Sequence, residues 1–155
     1  MIQNERQYEI TRKKLQELAQ ALHQARANPA PNLPLEIQHA GRSGIEMLME
    51  DLETEIAEYE QLKSGRTETL PLASVLDDLP TALVQARVAR GWSHRDLARA
   101  LGTTEQQVQK DESGGYARAS LKRLHRVADA LALTVTGEAK LAEPAGTFRP
   151  ERRGS

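Results

Sequence analysis

The sequence predicts an all-α protein in which an N-terminal helical hairpin precedes a C-terminal domain of short helices. Three observations lead to this prediction. Two long stretches within the first 65 residues carry apolar side chains at helical spacing, and four shorter stretches between residues 80 and 133 do the same. Clusters of proline and glycine separate these stretches, as expected where helices end. The third observation is a charge asymmetry between the two halves of the chain, described below.

The composition excludes several classes of protein. The chain has 155 residues, enough for one domain or two small ones, and it contains no cysteine. Disulfide frameworks, cysteine-ligated metals and cysteine nucleophiles are therefore excluded. No apolar run approaches the roughly 18 residues that span a bilayer, and the N-terminus lacks the apolar core of a signal peptide. We expect a cytoplasmic protein with no membrane partner.

The predicted hairpin occupies residues 1–65. Residues 8–25 carry a narrow apolar stripe, and three prolines within residues 28–34 end this first helix. A second stripe runs through residues 45–62, and Ser43 with the following Glu46 fits a capping box from which this helix would start. Residues 35–40 are expected to form no more than an earlier turn, because Gly41 and Gly44 weaken its continuation into this helix.

Two helices with such narrow apolar stripes bury too little surface to form a stable structure alone. We therefore expect residues 1–65 to pack against a copy of themselves in a homodimer. Packing against the C-terminal domain of the same chain is the alternative. Residues 66–78 are predicted to be a linker with one short turn near its end, and residues 141–155 a mobile tail.

Charge is distributed unevenly along the chain. Residues 1–80 carry 14 acidic and 8 basic side chains, whereas residues 81–128 carry 9 basic and 4 acidic ones. A basic block inside a chain of net charge −1 favours a local contact with a polyanion. A solvated surface with a chance asymmetry is the alternative.

The basic block contains two short helices joined by a tight turn. The first of these helices begins at Ser93, a favourable N-cap with Asp96 three residues later, and ends at Gly102. The next begins after Thr104, a second favourable N-cap, and ends near residue 114. A connection of this length that contains glycine is typical of a helix-turn-helix motif.

The second of these helices is unusually polar. Val108 is its only aliphatic core residue, so most of its surface is not needed for packing. Amide and lysine side chains at the start of such a helix suit the reading of base edges in the major groove. An ordinary solvated helix is the alternative, since Glu and Gln favour helices anyway.

On these residues, the segment 80–133 resembles the lambda-repressor-like helix-turn-helix domain of the XRE family of bacterial and phage regulators. The matching stretches are residues 86–93, 96–98 and 101–104, Val108, Glu112 and residues 124–133. The resemblance implies a DNA-binding domain of about five short helices over residues 79–140. It also implies action as a dimer on palindromic operators, in the bacterial cytoplasm and associated with the nucleoid when bound.

The resemblance further implies roles for individual side chains. Thr104, Glu105, Gln106 and Lys110 would face bases, and Gln107 and Gln109 would reach bases or phosphates. His94 and Arg95 would sit beside a phosphate, and Ser113, Arg118 and Arg87 are weaker phosphate candidates.

Two residues depart from the family pattern. The family often has glutamine at the position of His94, and a histidine there would make binding sensitive to pH. Asp111 occupies a position where an apolar residue is common. Either Asp111 faces solvent or the helix that carries it packs in an unusual way.

The sequence gives no support to catalysis. None of the four histidines lies three or four residues from another, so no helical metal pair forms. Ser93, His94 and Asp96 are too close in sequence to converge as a triad, and capping explains the serine and the aspartate. We expect no enzymatic activity, no metal site and no cofactor.

We therefore predict a sequence-specific DNA-binding transcriptional regulator, a dimeric repressor of a palindromic operator. The alternative is an antitoxin whose acidic N-terminal region neutralises a small basic toxin while the helix-turn-helix autoregulates its promoter. The net charge of −6 over residues 1–80 motivates this alternative. The hairpin also resembles, over residues 58–65, the leading region of some bacterial XRE proteins, including antitoxins. A third hypothesis is an adaptor that no longer binds DNA, motivated by the negative charges of Glu105 and Asp111.

Overall fold

The computed structural model describes residues 1–137, and this part of the chain contains six helices and no strand. The predicted all-α fold is confirmed. The helices are α1 (Glu5–Ala27), α2 (Leu35–Lys63), α3 (Val75–Ala89), α4 (His94–Leu101), α5 (Glu105–Ser113) and α6 (Leu121–Ala130). The predicted tail and the last three residues of the predicted domain, 138–140, lie outside the described residues.

Helices α1 and α2 form the predicted antiparallel hairpin. The side chain of Asn4 caps α1 by accepting a hydrogen bond from the amide of Gln7 at 3.0 Å. Near the connecting loop, Arg26 and Glu46 form a salt bridge of 2.7 Å. At the opposite end, the rings of Tyr8 and Tyr59 stack with 5.1 Å between their centroids. These contacts fix the register of the two helices.

The predicted start of α2 at Ser43 is wrong. The helix begins at Leu35, directly after Pro34, and continues through Gly41 and Gly44. The side chain of Gln38 closes the preceding loop by donating to two of its carbonyls at 2.8 Å each. A glycine in a helix costs only about 1 kcal/mol, which packing against α1 offsets.

The C-terminal domain has four helices between residues 75 and 130, where the resemblance implies about five. Its first helix, α3, begins at Val75 and not near residue 81, so it takes up the end of the predicted linker. Ser74 caps α3, and Pro80 lies inside it. The predicted short turn at residues 74–78 is therefore the first turn of α3.

Two apolar clusters hold the structure together. The larger lies within the C-terminal domain, around Leu83, Leu97 and Val127, which are fully buried. A smaller cluster contains Ile2, Tyr59, Leu62 and Val88 and joins one end of the hairpin to α3. This end of the hairpin thus packs on the C-terminal domain of the same chain, the arrangement left open above as the alternative.

Candidate nucleic-acid interface

Ser93 is the N-cap of helix α4, as the sequence predicts. The amide of Asp96 donates to the Ser93 hydroxyl oxygen at 3.2 Å, and the amide of Ser93 donates to the Asp96 carboxylate at 3.0 Å. This capping box satisfies two amides that the helix leaves free. The hydroxyl of Ser93 also donates to this carboxylate, and these hydrogen bonds lower the pKa of Asp96. Capping thus accounts for both residues.

The turn between α4 and α5 requires a glycine. Gly102 has a φ of +64°, in the left-handed region that other residues occupy only with strain. The next amide, that of Thr103, donates back to the carbonyl of Ala98 at 2.9 Å and closes the helix end. The side chain of Thr104 then accepts from the amide of Gln107 at 3.2 Å. This short turn sets the angle at which α5 leaves α4.

Helix α5 presents almost its entire length to solvent. Only Val108 and Glu112 are buried. All of the predicted base-facing residues on or beside the helix are exposed, as are three predicted phosphate contacts. These residues are Thr104, Glu105, Gln106, Gln107, Gln109 and Lys110, with Arg95, Ser113 and Arg118.

Four of these side chains line one surface cleft. Gln106, Gln109, Lys110 and Ser113 border a cleft of about 490 Å³ beside α5. The cleft is also lined by His94 and by Gln3, Asn4 and Gln7, which come from the start of the chain and the first turn of α1. Sequence reasoning missed this part of the site, because nothing in a local pattern predicts a contact between residues about a hundred positions apart.

Asp111 does not simply face solvent; the helix that carries it packs in the unusual way given above as the second alternative. It is partly buried and forms a salt bridge of 3.1 Å with Arg123 of α6. Its other carboxylate oxygen accepts a hydrogen bond of 2.6 Å from the side chain of Gln107. Because the charge of Asp111 is paired, it repels a phosphate less than an isolated carboxylate would.

His94 and Arg87 do not lie on the surface where the resemblance puts them. Both side chains lie in the interior, around Glu112. Arg87 donates to the two carboxylate oxygens of Glu112 at 2.7 and 2.6 Å, and Nε2 of His94 lies 3.0 Å from one of them. A guanidinium group typically binds a carboxylate in this way, through two parallel hydrogen bonds. The network occupies both side chains, although His94 still borders the cleft beside α5.

The network also sets the ionisation of Glu112. Burial alone would raise the pKa of this carboxyl, but the hydrogen bonds from Arg87 and His94 outweigh burial and lower the pKa. Glu112 is therefore a carboxylate, and it holds α5 to α3 and α4 from inside.

The loop after α5 places Tyr116 and Arg118 in different surroundings. Arg118 is exposed, whereas Tyr116 is buried in the main apolar cluster. Burial raises the pKa of the Tyr116 hydroxyl. Tyr116 has a φ of +55°, which turns the chain sharply after α5. Tyr116 therefore packs in the core, and Arg118 is the cation of this loop that is exposed to solvent.

Two other kinds of site are not found among the described residues. In residues 1–137 no three His, Asp or Glu side chains are grouped so that they hold a metal ion. No helix in this range is long and apolar enough to cross a membrane.

A capped helix, a glycine turn and a second helix with an exposed polar face together define a helix-turn-helix DNA-binding domain. The helix-turn-helix family model matches residues 83–137, from the middle of α3 to beyond α6. The match confirms the resemblance to the XRE family, so this segment is a DNA-binding domain of the kind found in transcriptional regulators. No curated protein and no solved structure matches the chain.

Proposed function

We propose that the protein is a dimeric repressor that binds a palindromic operator through α5. The main observation in support is that α5 is anchored by two buried residues while its polar side chains are exposed. Gln106, Gln109 and Lys110 supply donors that suit guanine and adenine edges in the major groove. Glu105 supplies an acceptor that suits the N4 amino group of cytosine. Arg95 and Arg118 supply exposed cations for the phosphates on either side.

The far end of the hairpin supports dimerisation. Leu35, Ile37, Met47 and Leu48 on α2 are each more than half exposed. The facing stripe of α1 is only partly covered as well, since Leu15 and Leu18 are half-buried. Exposed apolar side chains in this number at one end of a hairpin are typical of an interaction surface. A second copy would cover it with the same residues, as in an isologous interface.

Dimerisation through the hairpin would place two copies of α5 on one face of a duplex. The half-sites would then lie about one helical turn, ~34 Å, or a multiple of it apart. Contacts from the basic block would give a binding constant that falls steeply with salt.

The test is binding of the full chain to DNA, measured by fluorescence anisotropy. A duplex is first enriched from a random 30-base-pair library. We expect Lys110→Ala and Gln106→Ala each to weaken binding to this duplex by about tenfold or more, the value of one good base contact. Lys14→Ala, which removes an exposed lysine of α1, is the matched control. If no duplex is enriched, the proposal fails and the adaptor hypothesis replaces it.

A second candidate function is that of an antitoxin. The favouring observation is the acidic outer face of α2, where Glu50, Asp51, Glu53 and Glu58 are exposed without ion pairs in the described residues. A small basic protein encoded next to the chain would bind there. Co-purification of that neighbour with the full chain, and its loss when Glu50 and Glu53 are both changed to lysine, is the expected result. A neighbour that does not co-purify would remove this candidate.

A further inference from the structure

The cleft beside α5 has a second wall that the helix-turn-helix family match does not cover. We propose that the first turn of α1 is a DNA-contacting element, and that Gln7 donates to the same duplex that α5 reads. This inference rests on the proposed function, since it needs α5 to lie on DNA. It extends the interface from residues 93–118 to a segment at the other end of the chain.

The first observation is the shared cleft. Gln3, Asn4 and Gln7 face Gln106, Gln109, Lys110 and Ser113 across a space of about 490 Å³. A second cavity, of about 700 Å³, adjoins it and is lined by Arg6 and Gln7 on one side and Glu105 and Gln109 on the other. A strand of DNA that contacts the exposed face of α5 therefore passes within reach of the first turn of α1.

The second observation is that this turn is held in place. Arg87, already bound to Glu112, also donates to the backbone carbonyl of Gln3 at 2.9 Å. Ile2 is buried between the hairpin and α3, in contact with the cluster of Tyr59 and Val88. The same buried guanidinium thus positions both α5 and the start of the chain. A surface that is already ordered loses less conformational entropy when it binds a ligand.

The third observation is the orientation of the Gln7 amide. Its oxygen accepts a hydrogen bond of 2.8 Å from the backbone amide of Gln3. A glutamine side chain has one acceptor oxygen and a separate amino group with two donors. The oxygen is engaged by the backbone, so the amino group is the part that is left for a ligand. Phosphate oxygens and the acceptor atoms of base edges are suitable partners for such a donor.

The fourth observation is the charge of the segment. Glu5, the acidic residue of this turn, is bound to Lys63 and also accepts from the Tyr59 hydroxyl at 3.3 Å. The hydrogen bond from Lys63 lowers the pKa of Glu5, so the carboxylate is neutralised by its partner. Arg6 is exposed and has no ion pair in the described residues. The wall therefore offers a polyanion one cation and several amides.

The test replaces the donor group of Gln7 by an acceptor without disturbing the fold. Gln7→Glu keeps an oxygen for the Gln3 amide and replaces the amino group by a second acceptor with a negative charge. We expect it to weaken binding to the enriched duplex by about tenfold, because a carboxylate then faces the DNA. Gln20→Glu, the same change on an exposed turn of α1 away from the cleft, is the matched control and should change affinity by less than about twofold.

Each outcome has a clear meaning, provided that circular dichroism and sedimentation match the unchanged protein for both variants. A loss confined to Gln7→Glu supports the inference. If Gln7→Glu binds as tightly as the unchanged protein while Lys110→Ala binds weakly, the inference is overturned and the proposed function stands. Equal losses in Gln7→Glu and Gln20→Glu also overturn it, because they reflect total charge alone. If no duplex is enriched at all, both proposals fail.

Discussion

Glu112 is the residue that three helices share. It is carried by α5, its two oxygens bind Arg87 of α3, and one of them also lies against His94 at the start of α4. Its side chain is fully buried and that of Arg87 is 2% exposed. A buried pair of this kind is weak evidence for stability compared with an apolar pair, but removal of one partner leaves the other charge stranded.

We therefore expect Glu112→Gln to lower the free energy of unfolding by about 3–5 kcal/mol. The buried guanidinium of Arg87 would keep its charge and lose its counterion. Urea unfolding followed by circular dichroism measures the change. Glu58→Gln, the same substitution at an exposed position of α2, should stay within about 0.5 kcal/mol. A drop of less than about 1 kcal/mol for Glu112→Gln would contradict the role assigned to the network.

The sequence identifies Glu112 as part of a family pattern but not as a partner of His94. The resemblance places His94 beside a phosphate because the residue stands at the start of the first helix of the motif, α4. The network forms because three side chains separated by 7 and 18 residues converge in the fold. Local spacing does not encode such convergence, so the burial of His94 was not predictable from the residues around it.

Helix ends were predictable where one local signal decides them. Ser93, Thr104 and Gly102 each cap a helix as their residue types indicate. The starts of α2 and α3 were not predicted, since Gly44 and Pro80 argue locally against helix and are overridden by packing. The contact between the hairpin and α3 escaped prediction for a similar reason, because it joins residues far apart in the chain.

Two glycines with equally open surroundings separate a position where the backbone conformation requires glycine from one where it does not. A Cβ at Gly102 or at Gly44 would meet no atom within 4 Å, so sterics do not separate them. Gly102 has a φ of +64°, and we expect Gly102→Ala to destabilise the protein by about 1–2 kcal/mol. Gly44 lies within α2, and Gly44→Ala should stabilise it by about 0.5–1 kcal/mol.

Thermal unfolding of the two variants measures both effects. Opposite shifts in the midpoint temperature are expected. If Gly102→Ala does not lower the midpoint temperature, the turn between α4 and α5 tolerates a side chain at Gly102. If Gly44→Ala does not raise it, α2 needs a glycine at position 44.

Within residues 1–137, the apolar contact between the hairpin and the C-terminal domain lies at one end of the hairpin. The cluster of Ile2, Tyr59 and Val88 lies at that end, whereas the other end extends away from the domain with its apolar side chains exposed. The acidic surface of α2 and the basic surface around α5 therefore belong to different parts of the structure. This separation suits a protein whose hairpin binds protein while its domain binds DNA.

Dimerisation through the exposed end has a direct test in sedimentation equilibrium. We expect the unchanged chain to show twice its monomer mass and Leu48→Glu to shift it toward the monomer. Leu48 is 51% exposed in one chain, so a glutamate there is tolerated by the fold but not by an apolar interface. Leu76→Glu is the matched control, since Leu76 is 86% exposed on α3. A monomeric unchanged chain would exclude the interface.

The bond from Arg87 to Gln3 ends on a backbone carbonyl, which every amino acid carries. The attachment of the chain's start to the domain is thus independent of which side chain stands at position 3. Substitutions there leave the hairpin anchored while they change what the cleft beside α5 presents. Under the proposed function, position 3 is therefore a place where operator preference can change during evolution without loss of stability, whereas changes at Val108 or Glu112 of α5 would disturb the anchoring of that helix.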